Sequence, residues 1–121
     1  MSRNKRAVEQ YLDGFRASDH TAILALLTDD VVWDMPGRFH LEGKQAFDGE
    51  IENAESMGRP EITLRRLVEE GDVVVAEGTV RFTTRSTGEM EAVFCDVFVF
   101  RDGLIRELTT YLTVVRGGEA G

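Results

Sequence analysis

Apolar side chains in the first third of the chain recur at helical spacing. Over residues 4–17, Val8, Tyr11, Leu12 and Phe15 fall at i, i+3, i+4 and i+7, the stripe of one helix face. Ser18 and Asp19 end that helix or cap the next. Ile23, Leu26 and Leu27 repeat the pattern in a short second helix that stops near Thr28-Asp29-Asp30. Val31-Val32-Trp33-Asp34-Met35 reads as a strand, broken by Pro36-Gly37. A loop carrying Phe39, His40 and Leu41 leads to Gly43. Residues 44–56 read as a third helix with Phe47, Ile51 and Ala54 on one face, weakened in its middle by Gly49.

After about residue 60 the period changes from helical to alternating. A strand starts at Ile62-Thr63-Leu64 and ends at the turn signal Glu69-Glu70-Gly71-Asp72. Val73 to Thr84 is the next, with Ser86-Thr87-Gly88-Glu89 as its hairpin turn. Met90 to Arg101 follows, then the two-residue hairpin signal Asp102-Gly103, then Leu104 to Val115. The tail, 116–121, is expected to be mobile. Helices gathered early and long antiparallel strands gathered late predict a single α+β domain over residues 1–121.

Within that pattern the run Ala92-Val93-Phe94-Cys95-Asp96-Val97-Phe98-Val99-Phe100 stands out, because one aspartate interrupts eight apolar residues. Alternation puts Asp96 on the same face as Phe94, Phe98 and Phe100. A carboxylate there is costly unless it is hydrogen-bonded or neutralised, and desolvation raises its pKa. Such a group is a candidate for site chemistry. The opposite face, Val93, Cys95, Val97 and Val99, is apolar as well, which predicts a homodimer formed through the sheet.

Composition narrows the partners. With 121 residues, 42% hydrophobic and 30% charged, the chain fits one ordinary globular core. A net charge of −8 argues against nucleic acid or an anionic membrane as partner. Cys95 is the single cysteine and forms no internal disulfide. No apolar stretch is long enough to span a bilayer, and no apolar signal core follows the basic start, so a cytoplasmic location is expected. His20 and His40 lack a second histidine at ligand spacing, so no metal and no cofactor is expected.

The marks Asp29-Asp30, Val31-Val32-Trp33-Asp34-Met35-Pro36-Gly37, Leu41-Glu42-Gly43, Cys95 through Ile105 and Tyr111 resemble those of the nuclear transport factor 2-like superfamily, in its SnoaL-like branch. The resemblance covers roughly residues 4–115. It implies a cone-shaped roll, a curved and mostly antiparallel sheet wrapping three helices around an apolar pocket. Among relatives with that fold are ketosteroid isomerase, polyketide cyclases, limonene epoxide hydrolase and non-enzymes. On the isomerase pattern, Asp96 matches the protonated aspartate and Tyr11 the oxyanion-hole tyrosine, a pair able to polarise a carbonyl. The position of the general base falls near Met35, with Asp34 one residue short, and His40 lies in the loop near the pocket mouth. The epoxide hydrolase cluster is absent, since its positions fall close to Gly78, Val80 and Thr110. The pocket wall is expected from Phe15, Trp33, Met35, Phe82, Phe94, Phe98, Thr110 and Leu112. The expected function is binding of a small, largely apolar molecule, with cofactor-free isomerase or cyclase chemistry by proton transfer beside a carbonyl. The alternatives are a non-catalytic carrier or sensor, and a dimerisation module.

Overall fold

The computed structural model describes residues 2–117. Helix α1, Arg3–Ala17, begins where the Ser2 hydroxyl accepts from the Lys5 backbone N–H at 3.0 Å. It ends where Ser18 takes a left-handed conformation, and Gly14 lets α1 pass close to Ile23 of α2, His20–Leu24. A Cβ on Gly14 would lie 2.7 Å from the Ile23 side chain. Strand β1 is Leu27–Met35, β2 is Phe39–Glu42, and α3 is Lys44–Ile51. Four long strands follow: β3 Ser56–Glu70, β4 Val73–Thr84, β5 Gly88–Arg101 and β6 Leu104–Gly117.

All six strands form one curved, unclosed sheet in the order β2-β1-β6-β5-β4-β3. Each pairing is antiparallel except β1 with β6, which is parallel. This is the expected α+β architecture. The Asp102-Gly103 turn has both residues at positive φ, the geometry that such a dipeptide favours in a two-residue hairpin.

Several boundaries differ from expectation. Leu27 opens β1 instead of closing the second helix, which ends at Leu24. Asp29 and Asp30 are strand residues, and Asp30 is held well below the usual carboxylate range, at about 2, by the Arg101 guanidinium. The segment Phe39, His40 and Leu41, expected as loop, pairs with β1 as an edge strand. Helix α3 stops at Ile51, where Asn53 turns the chain by accepting the Glu55 backbone N–H at 2.9 Å. The pairing of β3 already begins at Ser56 opposite Thr84, with an irregularity between Met57 and Glu61. Arg116 and Gly117, expected in the tail, close β6 against Glu91 and Met90, and 118–121 lie outside the described residues.

The core lies between the helices and the concave sheet face. Val8 and Leu12 of α1, Ile23 of α2 and Phe47 of α3 pack with Val74, Ala76, Phe98, Ile105 and Leu108 of the sheet. Val8, Phe47 and Phe98 are wholly buried, and each contributes roughly 1.5–3 kcal/mol through the hydrophobic effect. Among the described residues no helix is long and apolar enough to cross a membrane.

Candidate functional site

The concave face is not filled along its whole length. Toward the end where α3 stops, a cavity of about 700 Å³ opens between α1, the α3–β3 connection and the sheet. Its buried end is formed by Tyr11, Trp33, Phe94, Asp96 and Thr110. Phe15, Met35, Phe82 and Leu112 line it with partial exposure, as do Ile62, Val80 and Met90. The rim carries Arg38, Glu52, Asn53, Glu55 and Ser86, all exposed, with Glu50 half-buried.

Strand alternation brings Asp96 inward. Its neighbours in the ladders are Ala76 on β4 and Thr110 on β6. The residue is 7% exposed, and its Oδ1 is buried without a hydrogen-bond partner among the described residues. Burial pushes the carboxyl up to about 7, with the Thr110 hydroxyl pulling the other way. Tyr11 reaches the same cavity from α1, its ring edge-on to Phe98 at 5.1 Å between centroids. Burial, and next the neighbouring Asp96, push the Tyr11 hydroxyl well above its ordinary value, so it stays neutral. Trp33 stacks on Phe47 at 4.4 Å and donates its indole N–H to Thr110 Oγ1 at 3.0 Å.

Asp34, His40 and Phe98 are not brought to this cavity. Alternation along β1 sends Trp33 and Met35 inward, and Asp34 outward. Asp34 faces His40 across the β1–β2 ladder and is hydrogen-bonded to its Nδ1, while Nε2 of His40 meets Glu42 at 2.8 Å. Glu42 and Asp34 together raise the His40 pKa. Phe98 has the parity of Asp96, yet it lies beneath Tyr11 in the closed core. The remaining histidine, His20, spans two carboxylates of α3 and its end, Asp48 at 2.6 Å and Glu52 at 2.7 Å, and so ties α2 to α3. No group of three or more His, Cys, Asp or Glu side chains among the described residues is arranged to hold a metal ion.

Some lining residues escaped the sequence reading. Met90 shares the parity of Phe94 and Asp96, so alternation alone could have found it. Ile62 faces the cavity only because β3 shifts register between Leu64 and Arg66, and a bulge of that kind leaves no period in the sequence. Asn53, Glu55 and Ser86 come from turns, where no periodicity exists to place them.

A SnoaL-like domain model matches residues 8–108. The chain belongs to the SnoaL-like domain family. This SnoaL-like protein is similar to solved structures of the same fold. An LEH-like epoxide hydrolase of M. tuberculosis superposes with a TM-score of 0.80 at 23% identity, over 92% of this chain and 83% of that one. An NTF2-like protein of unknown function from Burkholderia pseudomallei gives a TM-score of 0.84 at 20% identity, over 93% and 92%. A ketosteroid isomerase-like protein from Kribbella flavida gives 0.74 at 20% identity, over 98% and 84%. At these identities the likeness is one of fold. No curated protein matches the chain.

Proposed function

We propose that this SnoaL-like protein binds a small, largely apolar molecule bearing a carbonyl or phenol oxygen, and that Asp96 and Tyr11 meet that oxygen. The carrying observation is a buried carboxyl, Asp96, that lines an apolar cavity and whose Oδ1 has no hydrogen-bond partner among the described residues. A buried carboxyl left short of partners is unfavourable, and a ligand oxygen bonded to it offsets part of that cost. Phe15, Phe94, Trp33 and Leu112 offer the apolar surface for the body of such a ligand.

The chemistry follows from charge. With its carboxyl pushed up to about 7 by burial, Asp96 offers both its protonated and its ionised form near neutral pH, and Tyr11 is neutral. The protonated acid and the Tyr11 phenol both donate to a ligand carbonyl, and so favour the enolate that forms when a neighbouring carbon loses its proton to water from the open rim. Cofactor-free isomerase or cyclase chemistry is the activity this supports. A second reading, a non-catalytic carrier, draws on another feature: among the described residues no other carboxylate shares the buried end, and Glu50, Glu52 and Glu55 stand nearer the rim.

Two measurements test this. β-Naphthol should bind, with its fluorescence changed, and Asp96→Asn should weaken that binding about tenfold. Hydrogen–deuterium exchange at the α-carbon of β-tetralone should be faster with the protein than with Asp96→Asn. Binding without any exchange favours the carrier. Equal binding to both forms contradicts the proposed role of Asp96.

The proposal also includes a homodimer through the outer sheet face around Val93, Cys95 and Val97, where Val93 is 40% and Tyr111 54% exposed. A cytoplasmic location belongs to it too, where the free thiol of Cys95 stays reduced.

A further inference from the structure

Trp33 and Thr110 meet at the buried end of the cavity, where the indole Nε1–H donates to Thr110 Oγ1 at 3.0 Å. An indole nitrogen only donates, so this bond occupies a lone pair of the hydroxyl and turns its single proton away from the ring. Asp96 lies directly opposite Thr110 in the β5–β6 ladder and lines the same cavity. Side chains directly opposite in an antiparallel pair stand about 4.5–5.5 Å apart at Cβ, which puts the Thr110 hydroxyl within reach of the Asp96 carboxyl. Trp33 is itself fixed: its ring stacks on Phe47, and its backbone pairs with Leu108 of β6.

We propose that Thr110, held by Trp33, is a positioning residue for Asp96, directing its hydroxyl proton into the carboxyl so that the acid meets a bound oxygen with its free edge. This rests on the binding role of Asp96 given above and adds a one-way relay from Trp33 through Thr110 to Asp96. The neutral acid keeps its proton on the oxygen that Thr110 leaves free, and donates it to a carbonyl or phenolate. The ionised acid accepts a phenol proton at that same oxygen.

Other titratable groups lie around this relay. Tyr11 faces Asp96 from α1, and Cys95 and Glu77 sit on the outer side of the sheet. Arg38, Glu50, Glu52 and Glu55 line the rim.

The test is a titration of Asp96 by carbon NMR with labelled aspartate carboxyls, alongside β-naphthol fluorescence over the same pH range. Removing a hydroxyl that favours the ionised form, with Thr110→Val, should raise the Asp96 midpoint by about one pH unit. Thr110→Ser restores the hydroxyl and should leave it within about a few tenths of a unit of the native value. Trp33→Phe frees the hydroxyl to rotate and should raise the midpoint by less than Thr110→Val does. The pH profile of β-naphthol binding should move with the midpoint in each case. A native protein that titrates near neutrality and binds β-naphthol, with an unmoved midpoint in Thr110→Val, overturns the relay and spares the binding role. A native midpoint near pH 4, with binding equal to that of Asp96→Asn, overturns the binding role itself. Should Thr110→Val not fold, Trp33→Phe decides, and an unmoved midpoint there overturns the relay.

Discussion

At Asp96 burial and hydrogen bonding oppose each other. Burial raises the carboxyl to about 7 from an ordinary 3.8, and Thr110 limits the rise. The folded chain therefore holds a proton that the unfolded chain releases, and stability falls as pH rises from about 4 to about 7, then levels off. The loss across that window is on the order of 4 kcal/mol. Asp96→Asn should remove this slope, and at about pH 8 it should match or exceed the native protein in urea denaturation. His20 and His40 act in another window. Their raised values mean that their contribution is intact below the ordinary histidine value of 6.5, and is lost as pH climbs through the folded values. A variant that kept the full slope between pH 4 and 7 would place its origin elsewhere.

Gly78 shows how one position in an element shapes the cavity. It sits in β4 between Leu64 of β3 and Phe94 of β5. A Cβ there would lie 2.2 Å from the Thr63 carbonyl oxygen and 3.0 Å from the Phe94 ring. Gly78→Ala should therefore destabilise by about 1–3 kcal/mol in thermal unfolding, and push Phe94 toward the cavity so that β-naphthol binds less well. Unchanged stability would mean that β3 yields freely at its bulge.

Elements with long, regular patterns were legible in the sequence. Helix α1 shows its stripe, β4 its full span, and β5 the parity that turns Asp96 inward. Shorter ones were not. Four residues of β2 carry too little alternation to separate from a loop, and its pairing with β1 is decided by tertiary contact. Leu26 and Leu27 fit a helical period, yet Leu27 opposes Ile105 of β6 and starts a strand. The buried end of the cavity was readable from Tyr11, Trp33 and Asp96. The outward turn of Asp34 follows from alternation along β1. Phe98 could not be separated from the cavity wall, because parity gives the face of a strand but not the place where α1 closes over it.

For the whole molecule, the helices cover one face of the sheet and leave the other to solvent or to a second copy. Arg66 pairs with Glu77, and Arg81 with Glu61 and Glu91, so this outer face mixes a charged belt with the apolar patch around Val93 and Tyr111. Sedimentation at micromolar concentration should give a dimer, and Val93→Lys should give a monomer by placing two like charges at the contact. A native monomer would remove the dimer from the account. The proposed function requires that a cavity in this SnoaL-like domain hold an acid poised near neutral pH for a ligand oxygen. Carbon NMR of the Asp96 carboxyl in the native protein tests it most directly. The expected result is a midpoint of about 7 that shifts when β-naphthol binds. A midpoint near the ordinary aspartate value, unmoved by β-naphthol, would contradict it.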